Sequence, residues 1–128
     1  MMTPRMILRI LVVEDDPVLA SPLTSYIAGL GWEVDFAASG KMALRFCART
    51  DYDAIVVDEA MPDLSGIEIC NKIKAQSDTP VLLMASKGQN SQVMRCNADD
   101  CVVDPSDYRE IAHRCQHLNV REKLSISA

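Results

Sequence analysis

Two short runs of branched apolar residues each stop at carboxylates. Ile10, Leu11, Val12 and Val13 lead directly into Glu14, Asp15, Asp16 and Pro17. Ala54, Ile55, Val56 and Val57 lead into Asp58, followed by Glu59, Ala60, Met61, Pro62, Asp63, Leu64, Ser65 and Gly66. Continuous β-branched runs with polar stops read as strands buried on both faces, and such strands belong to parallel sheets covered by helices. In those sheets the ligand crevice lies beyond the carboxyl ends of the strands. Glu14, Asp15 and Asp58 are therefore expected to meet at one sheet edge. Carboxylates that close repel one another unless a cation sits among them, and an all-oxygen donor set suits Mg2+.

The rest of the chain repeats the alternation. Candidate strands are residues 8–13, 33–37, 54–57, 81–85 and 101–103; candidate helices are 17–30, 41–49, 66–75, 91–96 and 107–118. Five strand–helix repeats with short links predict an α/β fold, a doubly wound five-stranded parallel sheet with helices on both faces. The first helix is well punctuated: Asp16 as cap, Pro17 at the first position and Gly31 past the end. Its expected apolar stripe is Leu19, Leu23, Tyr26, Ile27 and Leu30. Pro22 removes a backbone donor inside that helix and predicts a local kink. Ser39 and Gly40 mark the start of the second helix, and Ser65 or Asp63 begins the third. The fourth, at 91–96, is barely more than a turn.

Composition excludes several function classes. At 128 residues the chain is one domain with room for a core. A net charge of −5, with no basic patch read in the sequence, argues against nucleic-acid binding. The longest apolar runs are strand-sized, which predicts no membrane span. Residues 1–6 lack a signal-peptide core, so a cytoplasmic protein is expected. The five cysteines, Cys47, Cys70, Cys96, Cys101 and Cys115, are odd in number and show no CxxC spacing, so they read as small residues in a reducing compartment. Residues 1–118 are expected to form the domain, with 119–128 a polar tail and no effector domain.

Glu14, Asp15 and Asp58, with Met61, Pro62, Ser65 and Gly66 at their spacing, resemble the receiver domain of bacterial response regulators from about Ile7 to Leu118. The resemblance implies the flavodoxin-like receiver fold. It implies that Asp58 is a phosphoacceptor, that Asp15 ligates Mg2+ directly and Glu14 through water, and that the Ala60 backbone carbonyl adds a further oxygen. It also implies a histidine kinase or phosphotransfer protein as phosphodonor, and a downstream protein partner.

Three positions depart from the family pattern. Ala85 stands where a Thr or Ser hydroxyl would meet the phosphoryl group, and the side chain of the next residue, Ser86, would point to the other sheet face. Asp104, before Pro105, stands where a lysine would neutralise a phosphoryl oxygen. At about 5 Å and an effective dielectric near 20, each such charge contact is worth roughly 3 kcal/mol. Lys87 is the candidate substitute cation. Cys101 takes the place of the aromatic switch residue. The expectation is an atypical receiver with an intact metal-binding half and an altered phosphate-reading half.

Two alternatives stay open at this stage: a pseudo-receiver acting by protein contacts alone, and a Mg2+-dependent phosphohydrolase. The second lacks a glycine-rich phosphate loop, and His113 and His117 fall on the last helix, away from the acidic edge. A flavodoxin-like phosphate cofactor is disfavoured by the acidic first loop. The altered switch positions predict a monomer or an atypical dimer.

Overall fold

The computed structural model describes residues 7–85, 97–103 and 107–127, with side chains as far as Asn119. Ser86, Lys87, Asp104 and the candidate helix at 91–96, with Cys96 at its end, lie outside the described residues. The elements run β1 (Arg9–Val13), α1 (Pro17–Gly29), β2 (Glu33–Ala37), α2 (Gly40–Arg49), β3 (Ala54–Asp58), α3 (Gly66–Gln76), β4 (Val81–Ala85), β5 (Asp100–Val103) and α4 (Tyr108–Ser127). The strands form one sheet in the order β2-β1-β3-β4-β5, and every pairing is parallel. The predicted fold is the observed one.

Alternate strand residues feed two cores. Leu11, Val13, Ala37, Ile55, Val57 and Leu83 pack with Ala43 of α2 and Ile69, Cys70 and Ile73 of α3. Ile10, Val12, Val56, Leu82 and Met84 pack with Leu23 and Ile27 of α1 and Ile111, Cys115 and Leu118 of α4. The period of two along each strand thus puts one helix pair on each face.

The α1 stripe is shifted from expectation. Ala20, Leu23 and Ile27 are buried, whereas Leu19 and Leu30 are exposed. The helix turns its Ala20 row to the sheet, which leaves Leu19 at the rim near the acidic edge. Pro22 sits inside α1 on its exposed side, where the carbonyl left without an amide can meet water, and the helix continues through it. Asp16 caps α1 through Val18 N at 2.9 Å. Gly31, at φ 86°, follows its end in the left-handed conformation that favours glycine.

The third helix settles between two stated starts, and the last helix brings a correction. Ser65, not Asp63, caps α3, in a capping box with Glu68. Ser65→Ala is expected to cost about 1 kcal/mol in urea unfolding; an unchanged midpoint would show that the box is not needed. The presumed tail is helical from Asn119 to Ser127. Asn119 is buried, and its amide donates to Asp53 Oδ1 at 3.2 Å, anchoring α4 beneath the sheet.

Candidate functional site

β1 lies between β2 and β3, so consecutive crossovers leave it in opposite directions. A crevice opens at such a switch point, beyond the strand ends. Glu14 continues from β1, and its amide donates to Ala37 O at 3.1 Å, which extends the pairing with β2. The residue is 3% exposed. Asp15, next along, is exposed, and Asp58 ends β3 half-buried. One carboxylate oxygen from each of Glu14, Asp15 and Asp58 lies within 4.8 Å of the others. The sequence-predicted triad is therefore brought together.

The loop behind Asp58 is tightly held. Ala60 N donates to Asp58 Oδ1 at 3.2 Å, which restrains the carboxylate. Glu59 N donates to Met84 O at 2.9 Å, and Glu59 O accepts from Gly66 N at 2.8 Å. The start of α3 is thereby pressed against the end of β3. A Cβ on Gly66 would lie 2.3 Å from Asp58 O and 2.6 Å from Glu59 Cα, so only glycine fits.

Among the described residues, no lysine or arginine forms an ion pair with any of Glu14, Asp15 and Asp58. Burial pushes the Glu14 carboxyl up from its ordinary value to about 8; its contacts with Asp58 and Asp15 push the same way, and the Asp16 amide on its Oε2 opposes them. The burial has a visible source. Glu14 lines a crevice of about 40 Å³ with Leu19, Leu23, Met84 and Tyr108. Tyr108 is a site neighbour that sequence reasoning missed, because its approach depends on how α4 packs beside α1, where its ring meets Tyr26 at 6.3 Å between centroids.

Asp63 also has a role not read from the sequence. Its carboxylate accepts from Gly40 N at 2.8 Å and Lys41 N at 3.0 Å, tying the loop after β3 to the start of α2. Those two amides hold the exposed carboxyl below its ordinary range. Gly40 and Lys41 precede it by more than twenty residues, and no local motif signals the link.

Of the departing positions, Ala85 ends β4 and is 1% exposed within the α2/α3 core. It has no side-chain donor to offer. Cys101, on β5, packs partly buried against the same core. His113 and His117 are exposed on α4.

The model of the response regulator receiver domain family matches residues 10–116. The chain is 31% identical over 113 residues to the transcriptional regulatory protein ResD of Bacillus subtilis, covering 86% of this chain and 47% of ResD. It spans about half the length, or less, of the curated relatives it matches. Among solved structures, the response regulator TrrA of Thermotoga maritima, in complex with Mg2+ and a beryllium fluoride, superposes with a TM-score of 0.78 at 30% identity, covering 86% of this chain and 97% of that one. The receiver domain of a sensor histidine kinase from Pseudomonas aeruginosa, with a magnesium ion coordinated in its active-site cleft, gives 0.80 at 27% identity, covering 88% and 97%. The sheet order, the carboxylate triad at the switch point and these matches agree: the chain belongs to the response regulator receiver domain family, a module of two-component signal transduction.

Proposed function

We propose that this chain is a phosphoryl-accepting receiver in which Asp58 takes the phosphoryl group. The observation that carries the reading is the convergence of the Glu14, Asp15 and Asp58 oxygens within 4.8 Å, with no described cation among them. Such a donor set fits Mg2+: it is hard and all-oxygen, and burial, then contact with Asp58, pushes the Glu14 carboxyl up to about 8, a strain that a cation among the three oxygens would relieve. In our reading Asp15, Asp58 and the Ala60 carbonyl would hold the ion, with Glu14 assisting from beside them. When bound, Mg2+ supplies positive charge that offsets the carboxylates and an incoming phosphoryl group. The chain contributes position: β3 fixes the backbone of Asp58, the Ala60 amide restrains its carboxylate, and Gly66 lets α3 start directly behind it.

The phosphodonor in this reading is a histidine kinase or phosphotransfer protein, and the output is contact with a downstream protein. The chain acts in the cytoplasm, as a monomer or an atypical dimer, and is not itself an enzyme of independent turnover. No described helix is long and apolar enough to cross a membrane. Relatives such as ResD are named as transcriptional regulators; this chain corresponds to about half their length, and we assign no nucleic-acid contact to it.

The pseudo-receiver alternative draws on one observation. Ala85 offers no hydroxyl at the end of β4, so a phosphoryl group on Asp58 has one fewer reporter. The shape change on phosphorylation is accordingly expected to be small. The test is incubation with Mg2+ and acetyl phosphate followed by intact-mass measurement. One phosphoryl adduct is expected, absent in Asp58→Ala and when Mg2+ is chelated. No adduct on the wild-type chain would leave the pseudo-receiver reading standing and this one rejected.

A further inference from the structure

The acidic chain carries a local basic face that sequence reading passed over, and this corrects the expectation that no basic patch exists. Lys41, Arg45 and Arg49 recur every four residues on α2, and all three are exposed. Residues at that spacing share one helix face, here over about 12 Å. Elsewhere on the described surface Arg9, Lys74 and Arg114 each pair with carboxylates, whereas Lys72 and Arg109 are exposed and unpaired among the described residues but stand singly on other helices. Lys41, Arg45 and Arg49 form no ion pair or side-chain hydrogen bond among the described residues. Arg49, in the last turn, suits the helix dipole. Lys41 in the first turn opposes it, and like charges at this spacing destabilise a helix slightly, so the stability of α2 does not explain the stripe as a whole.

Beside the cations runs a groove of about 230 Å³ lined by Ser39, Met42, Arg45, Phe46 and Arg49. It is below the size of typical small-molecule sites but large enough for an anchoring side chain. Met42 and Phe46 are partly buried in the α2/α3 core, so the apolar floor is set back behind the charges. The α2 N-terminus cannot take the anion instead, because its amides already donate to Asp63 and Ser39.

We propose that this face of α2 docks an acidic amphipathic helix of a partner protein. Its carboxylates, spaced one turn apart, meet Lys41, Arg45 and Arg49, and one apolar side chain enters the Met42–Phe46 groove. Charge complementarity and matching helical periodicity select this occupant. An anionic membrane fits less well: among the described residues, α2 has no exposed large apolar side chain to insert beside the cations. The inference does not depend on phosphorylation of Asp58.

The test is fluorescence anisotropy with a labelled synthetic helical peptide carrying Glu at every fourth position and a central Leu, titrated with the full chain. Saturable binding is expected, weakened about tenfold or more by Arg45→Glu with Arg49→Glu and weakened by added salt. Arg45→Gln with Arg49→Gln should weaken it less, and Lys72→Glu with Arg109→Glu, which changes net charge equally at exposed sites elsewhere, should leave it unchanged. Circular dichroism checks that each variant is folded. No binding, equal binding by the Arg45/Arg49 charge-reversal variant, or stronger binding to phosphatidylserine vesicles or duplex DNA through the same arginines would overturn the proposal.

Discussion

Gly66→Ala is expected to lose about 3 kcal/mol or more of stability, the largest effect of any single methyl group added at the described glycines. The new Cβ would stand 2.3 Å from Asp58 O, 2.6 Å from Glu59 Cα and 2.9 Å from Asp58 C. All three are backbone atoms, so no rotamer change relieves the overlap. Relief requires α3 to back away from β3, which breaks the Gly66 N to Glu59 O hydrogen bond of 2.8 Å. Ordinary overpacking of a core costs roughly 1–3 kcal/mol, and this overlap is against the least compliant kind of neighbour. Gly40→Ala is the comparison. Its Cβ would meet Ile69 side-chain atoms at 3.0 Å and Leu64 Cβ at 3.1 Å, and those side chains can shift. Its loss should stay near 1 kcal/mol. Urea unfolding followed by the fluorescence of Trp32, the single tryptophan, reads both. Because the displaced atoms belong to Asp58, Gly66→Ala should also weaken Mg2+ binding, whereas Gly40→Ala should not. Equal, small losses for the two variants would refute the wedge at the β3–α3 junction.

The second large effect is on the dependence of stability on pH. The folded state raises the Glu14 carboxyl from its ordinary value to about 8, chiefly by burial and then by its contact with Asp58. Between the ordinary glutamate value and that raised one, the folded chain holds a proton that the unfolded chain has released. Stability must therefore fall as pH rises through this window, because the folded state binds more protons than the unfolded state. Below the window Glu14 is protonated in both states and contributes nothing; above it the full penalty, on the order of a few kcal/mol, is present. Without metal, the melting temperature is expected to drop between about pH 5 and pH 8. Asp58→Asn removes one of the repelling charges and should flatten the slope while raising stability at the alkaline end. Mg2+ should reverse the trend, stabilising strongly near pH 8 and weakly near pH 5, where protons compete for the same oxygens. A metal-free melting curve that is flat or rises across the window, in both the wild type and Asp58→Asn, would contradict the protonated cluster.

Some parts of the molecule are written locally in the sequence. β1, β3 and β4 were readable because each is a short apolar run buried along almost its whole length, β2 and β5 from their place in the strand–helix alternation, and all five ends agree with expectation to within a residue. The caps at Asp16 and Gly31 were readable because their chemistry acts within one turn. The acidic site was readable because Glu14, Asp15 and Asp58 sit at strand ends, and a parallel sheet carries strand ends to one edge. What escaped needed tertiary placement. Tyr108 and Leu19 help to bury Glu14 only because α1 and α4 share a face of the sheet. Asp63 ties to α2 rather than starting α3, because the loop after β3 reaches across to the Gly40 amide. The helical continuation beyond Leu118 was obscured by its polar composition, although Asn119 and Asp53 secure its first residue. The basic face of α2 was present as a spacing of four, but the net charge of the whole chain concealed it.

In the proposed function Glu14, Asp15 and Asp58 form one metal centre, in which Glu14 holds a proton near neutral pH when no metal is present. The most direct measurement is calorimetric titration of the metal-free chain with Mg2+ near pH 7, repeated in two buffers of different ionisation enthalpy and on Asp58→Asn. One binding event is expected, with a heat that changes with the buffer because Glu14 releases its proton, and with loss of most of the affinity in Asp58→Asn. Absence of Mg2+ binding at millimolar concentrations, or binding that is unaffected by Asp58→Asn, would contradict it.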